Sequence, residues 1–385
     1  MPASKGKNLL YRLALPVLSP VAASDPVAGI KGAPVACRKN LLTIIRRNHV
    51  TGGAILLSCE DRDSFICTRA FHTDQIPDEN TYFRVASITK MATALLAVRL
   101  MDLGLLDPDA PVSKLLPDGD KIKGMNGILF HHLLSHTSGM EDPPDLVRML
   151  TQRKTVSEAL AGVKFHPPGI SFLYSNLGFG LIGSVIETLL GISVEQAFQR
   201  YCFGPLGMRA TLNAASLSDD QIMPLIRVLP YRAGSEIRKP SLPGNSPEIP
   251  EPEYHYGYTA GSLYTDIISL KKLIACIRDG GAPLLSPSCS DYMTRETAKY
   301  GSASPTLSYG SGLLIIRDRR ISPHTVYGHQ GFAYGCVDGA FWEDGTGNIM
   351  ISLNGGASEA RSGRLGILNL ELCRWAFREE IPEWK

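Results

Sequence analysis

The 385-residue sequence has no uninterrupted apolar run of about 18 residues, the length a membrane-crossing helix needs, so no transmembrane helix is expected. It has little net charge. Its 39 Lys and Arg residues against 37 Asp and Glu leave +2, and no broad field draws it toward nucleic acid or an anionic membrane. Its eight cysteines form no CxxC pair, which argues against a zinc ribbon and a compact disulfide scaffold. Scattered single cysteines fit a reducing compartment, where they act as small buried apolar residues. His131, His132 and His136 have no HExxH glutamate and no third ligand nearby, so a helix-end structural role is expected in place of a metal site. No fixed-period repeat is visible.

What is there is ordinary globular composition, 44% apolar and 20% charged, with enough chain for a large core. Lys5, Lys7 and Arg12 precede an apolar run from Leu13 to Ala23 that imitates a signal peptide, but Pro16 and Pro20 interrupt it. A cytoplasmic location is expected, with secretion as the alternative. Residues 1–34 are rich in Pro, Ala and Gly and are expected to wrap the surface.

Cys37–Val50 has helical spacing. Gly53–Cys59 reads as a buried strand, Ser64–Phe71 as its partner, and Met91–Leu103 as a helix stopped by Gly104 and the Asp107-Pro108 pair. Residues 105–250 alternate short helical patterns with Pro- and Gly-rich connections, and 229–252 reads as a long surface loop. Ser269–Ile277 reads as a helix. Ser311–Arg317, Thr325–His329, Gly335–Trp342 and Ile349–Asn354 read as strands, and Leu365–Arg378 as a last helix. Strands at both ends with helices between them predict an α/β sandwich: an antiparallel sheet flanked by helices, built from 1–84 and 252–385, with a mainly helical region at 85–251.

Three short patterns carry chemistry. In Ser87-Ile-Thr-Lys90 the serine and lysine stand three apart at a helix start, so they share a face and the amine lies beside the hydroxyl. The helix N-terminus there favours developing negative charge. An N-capping serine with a solvated lysine is the plainer alternative. In Tyr174-Ser175-Asn176 a phenol beside an ammonium is expected to ionise more easily and to move the serine proton, while the Asn176 amide can hold both the lysine and a substrate carbonyl. In His329-Gln330-Gly331 the glycine permits close approach to an acyl group, and His329 can donate toward a substrate or orient Tyr174. The N–H groups of Phe332 and Ser87 are a candidate oxyanion hole.

The order of these motifs resembles the serine β-lactamase and penicillin-binding-protein superfamily, most nearly its class C branch with DD-peptidases, D-aminopeptidases and carboxylesterases. His132–Gly139, Pro167–Asn176, Pro205–Met208, Ala260–Asp266 and Tyr309–Gly312 match that family in kind and order, and the likeness covers roughly residues 40–378. The resemblance implies an acyl-enzyme on Ser87, with Lys90 and Tyr174 sharing the acid–base work. It implies substrate contacts from Asn176 and from the His329–Phe332 strand, and no cofactor.

Gln330 stands where many β-lactamases carry a hydroxyl, which puts carboxylate recognition in doubt. A peptidase or amidase, or a carboxylesterase, acting on a small-molecule or short peptide or ester substrate is therefore expected. The alternatives are a β-lactamase, an acyltransferase and a catalytically silent binding protein on the same fold. Asp338, on an apolar strand, is expected to pair with Arg361 or Arg364, and Cys336 to be packed. The tyrosines 254, 256, 258 and 264 can line a pocket or cover the helical region.

Overall fold

The computed structural model describes residues 13–14, 26–31, 35–59, 62–69, 75–226, 228, 236–237, 246–301, 304–358, 361–362 and 365–378. Its centre is one antiparallel sheet of nine strands. These are β1 (Pro26–Lys31), β2 (Gly53–Cys59), β3 (Arg62–Thr68), β4 (Ala298–Lys299), β5 (Leu307–Tyr309), β6 (Leu314–Ile316), β7 (Val326–Ala333), β8 (Cys336–Glu343) and β9 (Ile349–Asn354). Their order is β1-β3-β2-β9-β8-β7-β6-β5-β4, so the two ends of the chain meet where β2 pairs with β9.

The apolar run of β2 follows from cover on both faces. Ile55 and Leu57 join one core cluster with helices α1 (Val35–Arg47) and α5 (Ile367–Phe377); Ala54 and Leu56 join the other. That second face meets α2 (Thr89–Asp102) and α4 (Ile267–Arg278). Every residue from Ile88 to Val98 is buried, which explains a helix start that is apolar all round. Helix α3 (Asn176–Leu190) lies beyond α2, and Gly180 lets residues 256–261 close onto it: a Cβ there would stand 1.8 Å from the Tyr256 carbonyl oxygen.

Several expectations shift. Pro26–Lys31 is an edge strand paired with β3, a place where a leading proline costs no ladder bond. The stretch read as one strand, Ser311–Arg317, belongs to a hairpin, β5 with β6. Of the loop at 229–252, residues 229–235 and 238–245 lie outside the described residues. Between 105 and 226 the strands among the described residues are very short, and helices dominate.

Asp338 is fully buried, and one of its oxygens accepts the Asn354 N–H at 2.8 Å. It makes no ion pair among the described residues; Arg364 and the Arg361 side chain lie outside them. Burial holds the Asp338 carboxyl well above the usual carboxylate range, while the pairing expected with Arg361 or Arg364 falls outside the described residues. Cys336 is also fully buried, with its thiol pushed well up, and is packed as expected.

Candidate active site

Phe83-Arg84 pairs with Tyr264-Thr265 and delivers the chain to a tight turn at Ala86–Ile88 that runs into α2. Ala86 has φ of +46°, an L-residue in the left-handed region at a cost of roughly 1–2 kcal/mol. Such strain is held only where the surroundings enforce it. Here it lifts the half-buried Ser87 to the edge of a cleft.

One helical turn on, Lys90 is completely buried. Its Nζ lies 3.3 Å from Ser87 Oγ, 3.0 Å from Asn176 Oδ1 and 2.7 Å from the Ala260 carbonyl oxygen. The Tyr174 hydroxyl donates to Ser87 Oγ at 3.0 Å. The three groups singled out in the sequence therefore converge, although Tyr174 and Ser87 are 87 residues apart. Burial pushes Lys90 down to about 7, against the opposing pull of Asp142.

Strand β7 presses against this turn through Gly331. A Cβ at Gly331 would meet the Val85 carbonyl oxygen at 2.3 Å and the Ala86 methyl at 3.2 Å. Gly331→Ala is therefore expected to force β7 and the Ser87 turn apart and to lower kcat/KM for an activated ester by ~10²-fold. Steady-state kinetics check this, and an unaltered kcat/KM would mean that the close approach is irrelevant.

The other β7 side chains depart from expectation. His329 is buried, with Nδ1 2.7 Å from the Gln330 carbonyl oxygen and Nε2 3.1 Å from the Tyr309 hydroxyl. A carbonyl can only accept, so Nδ1 carries the proton and Nε2 accepts from Tyr309. The ring's polar atoms are thus used inside the protein, and neither is left to donate toward a substrate or to Tyr174. Gln330 turns to the opposite face of the sheet, where Oε1 accepts from Gly366 N–H at 3.1 Å and Asn369 Nδ2 at 3.4 Å. The strand's two-residue alternation requires this once Gly331 faces the serine.

Ser87 sits where two arms of the cleft meet. One arm, about 780 Å³, is lined by Pro143, Pro144, Leu146, Val147, Leu150 and Phe332 among others. The second, about 530 Å³, runs past Tyr174, Tyr300, Leu314 and His329. Asn176 and Phe332 border both. Of the four tyrosines, Tyr256 borders the larger arm, Tyr258 and Tyr264 are buried, and Tyr254 lies under the Arg153 guanidinium.

The histidines near the cleft are structural. His132 Nδ1 accepts the Leu129 N–H at 3.1 Å, closing a helix start. His136 Nδ1 accepts the Ser175 N–H at 3.1 Å, and its ring lies 4.2 Å from that of Tyr174. Burial pushes His136 well below its ordinary value, so an uncharged wall backs the phenol.

Sequence reading missed Asp142 and the Ala260 carbonyl, and gave no role to Tyr309. Ala260 and Tyr309 lay within stretches noted for their likeness to the family, but backbone carbonyls and buried partners leave no motif of their own. Asp142 lay outside every pattern considered.

The chain is similar to several known proteins. The chain is 31% identical over 145 residues to the D-alanyl-D-alanine-carboxypeptidase/endopeptidase AmpH of Escherichia coli, matching 35% of this chain but only 37% of AmpH. It is 26% identical over 330 residues to the esterase EstB of Burkholderia gladioli, covering 75% of this chain and 81% of EstB. The fold superposes on the D-amino acid amidase of Ochrobactrum anthropi with a TM-score of 0.70 at 19% identity, covering 88% and 97% of the two chains. With the Beta-lactamase family profile matching residues 61–353, the chain belongs to the beta-lactamase family.

Proposed function

We propose that this protein is a serine carboxylesterase that forms an acyl-enzyme on Ser87 and acts on esters with a bulky apolar acyl group and an uncharged leaving group. The observation that carries this is the chemistry of the cleft walls. The smaller arm has no Lys, Arg, Asp or Glu among its described lining residues, the polar atoms of His329 are engaged internally, and Gln330 borders the arm with its side-chain oxygen bound to Gly366 and Asn369. A penicillin or a D-Ala terminus would bring a carboxylate into that arm with no cation to meet it, and an unpaired buried charge is costly. The larger arm offers proline and leucine surface to an acyl chain, with Arg84, Asp142, Asp145 and Arg148 also in its lining. The likeness to EstB over most of its length supports an ester substrate.

The chemistry follows from the distances. Neutral Lys90 takes the proton of Ser87 Oγ as that oxygen attacks the ester carbonyl. The oxyanion is assigned to the N–H groups of Ser87 and Phe332, one from the start of α2 and one from β7. Tyr174, already donating to Ser87 Oγ, gives its proton to the departing alkoxide and regains one from the Lys90 ammonium. Water then attacks the acyl-enzyme by the reverse relay.

A substrate panel tests the reading. Aryl esters of medium-length and branched acids are expected to exceed nitrocefin and a peptide ending in D-Ala-D-Ala, which both carry a carboxylate, by ~10²-fold or more in kcat/KM, the cost of one unpaired charge. Preference for nitrocefin or the D-Ala-D-Ala peptide would overturn the ester assignment while leaving the nucleophile in place.

A further inference from the structure

We infer that Asp142 is a positioning residue for acylation: by clamping the Asn176 amide it aims the free electron pair of Lys90 at the Ser87 hydroxyl. The inference rests on the reading of Ser87 as nucleophile and Lys90 as its base.

Asp142 lies three residues beyond the turn at Gly139, against the first turn of α3. Its carboxylate accepts four hydrogen bonds there. Oδ1 takes the Ser175 hydroxyl at 2.8 Å and the Leu177 N–H at 2.9 Å; Oδ2 takes the Asn176 N–H at 2.9 Å and the Asn176 side-chain Nδ2 at 3.0 Å. An ionised carboxylate can only accept, so the nitrogen of the Asn176 amide must face it. The amide oxygen is thereby turned toward Lys90, where it stands 3.0 Å from Nζ.

The consequence lies in the donor count of a neutral amine, which has two N–H bonds and one lone pair. Two neighbours of Lys90, the Asn176 Oδ1 and the Ala260 carbonyl oxygen, can only accept. They take both N–H bonds. The third neighbour, Ser87 Oγ at 3.3 Å, is a hydroxyl and receives the lone pair. An Asn176 amide turned the other way would offer Nδ2 to Lys90 and consume the pair that has to take the serine proton.

Asp142 also acts by charge. Around Lys90 stand the Tyr174 ring at 4.9 Å and the Phe179 ring at 5.5 Å, with His136 from the segment before Asp142 and His329 from β7. Burial keeps both histidines uncharged at neutral pH. The Asp142 carboxylate supports the ammonium against the burial that opposes it. Asp142 also caps α3 by taking the Asn176 and Leu177 N–H groups beside the Ser175 cap on Gly178 N–H, so the test must separate capping from its action on Lys90.

The experiment is the pH dependence of Ser87 phosphonylation by a fluorophosphonate, which needs no turnover, in the intact protein and in Asp142→Asn and Asp142→Glu. The wild-type rate should rise through an acid limb near the Lys90 value of about 7. In Asp142→Asn the lost charge makes Lys90 a weaker base that stays deprotonated at lower pH. The limb should move down by ~1 pH unit and the plateau should fall ~10-fold or more. Asp142→Glu, which keeps the charge, should keep the limb in place. An unmoved limb in Asp142→Asn, with a rate loss that only follows thermal stability, would leave Asp142 a helix cap and overturn the inference. Should the wild-type protein label elsewhere than Ser87, the nucleophile reading fails instead. The carbon-13 shift of Lys90 Cε against pH then still decides whether Asp142 sets the lysine's proton affinity.

Discussion

Ser87→Ala is expected to abolish ester hydrolysis, lowering kcat by ~10⁶-fold, the size found when a nucleophile that works as one unit with its base is removed. The loss is this large because nothing else in the described cleft replaces it. Lys90 is buried behind Ser87, and the Tyr174 hydroxyl is held by Ser87 Oγ. Cys336 lies close by, packed against Ala86, but is fully buried, with its thiol well above the range where thiolate forms. The fold should be indifferent to the change, since Ser87 is half-buried and its oxygen caps no backbone group. Thermal unfolding should therefore match the wild type while activity vanishes. Residual turnover above a hundredth of the wild-type rate would mean that another nucleophile exists.

Lys90→Met is expected to have two large effects of opposite sign. Acylation should fall by ~10³-fold, because the hydroxyl loses its proton acceptor and Tyr174 alone must serve. Stability should rise. Burial depresses Lys90 from 10.5 to about 7, so the unfolded chain holds this proton more tightly than the folded one. Each tenfold change in proton affinity is worth about 1.4 kcal/mol. The wild-type penalty is therefore several such steps below pH 7, fades as pH rises from about 7 to 10.5, and vanishes above it. Methionine has nearly the same length and no charge to bury. The gain in Tm for Lys90→Met should be largest at acid and neutral pH and shrink toward pH 10, less whatever the Asn176 and Ala260 oxygens lose as acceptors left unpaired. A variant less stable than wild type at pH 6 would contradict this account of Lys90. A destabilising group at a working site is the usual trade between stability and activity.

How far the sequence discloses the site follows from the separation of its parts. Ser87 and Lys90 are legible because a helix brings residues three apart onto one face. Tyr174 and Asn176 are legible through likeness to a family, since no local rule carries a phenol across 87 residues to a serine. The alternation of a strand does contain the orientation of Gln330: if Gly331 faces the serine, its neighbour must face away. The expectation of a substrate contact from Gln330 rests on the motif and leaves that parity out. His329 was misassigned for a different reason. Its role depends on Tyr309, a partner 20 residues earlier on another strand, and on a carbonyl that only coordinates reveal. Asp142 is invisible for the same cause, because its meaning lies in an amide 34 residues away.

The fold shows the same division. Strands β2, β8 and β9 are readable because cover on both faces leaves them buried and mostly apolar. The edge strand β1 was not, because its Pro-, Ala- and Gly-containing sequence PVAGIK has no periodic pattern and its pairing with β3 is decided by the rest of the sheet. The pairing expected of Asp338 falls on Arg364 and the Arg361 side chain, which lie outside the described residues, while burial holds its carboxyl well above the usual range.

The central claim is that hydroxyl, amine and phenol act together on one acyl group. Its most direct test is to quench a reaction with a slowly hydrolysed aryl ester within the first turnover and to map the trapped acyl group by peptide mass spectrometry. A single acylated site at Ser87, accumulating with the burst of released phenol and missing in Ser87→Ala, is the predicted result. Turnover of the ester with no acyl group on Ser87, or with the label on another residue, would contradict it.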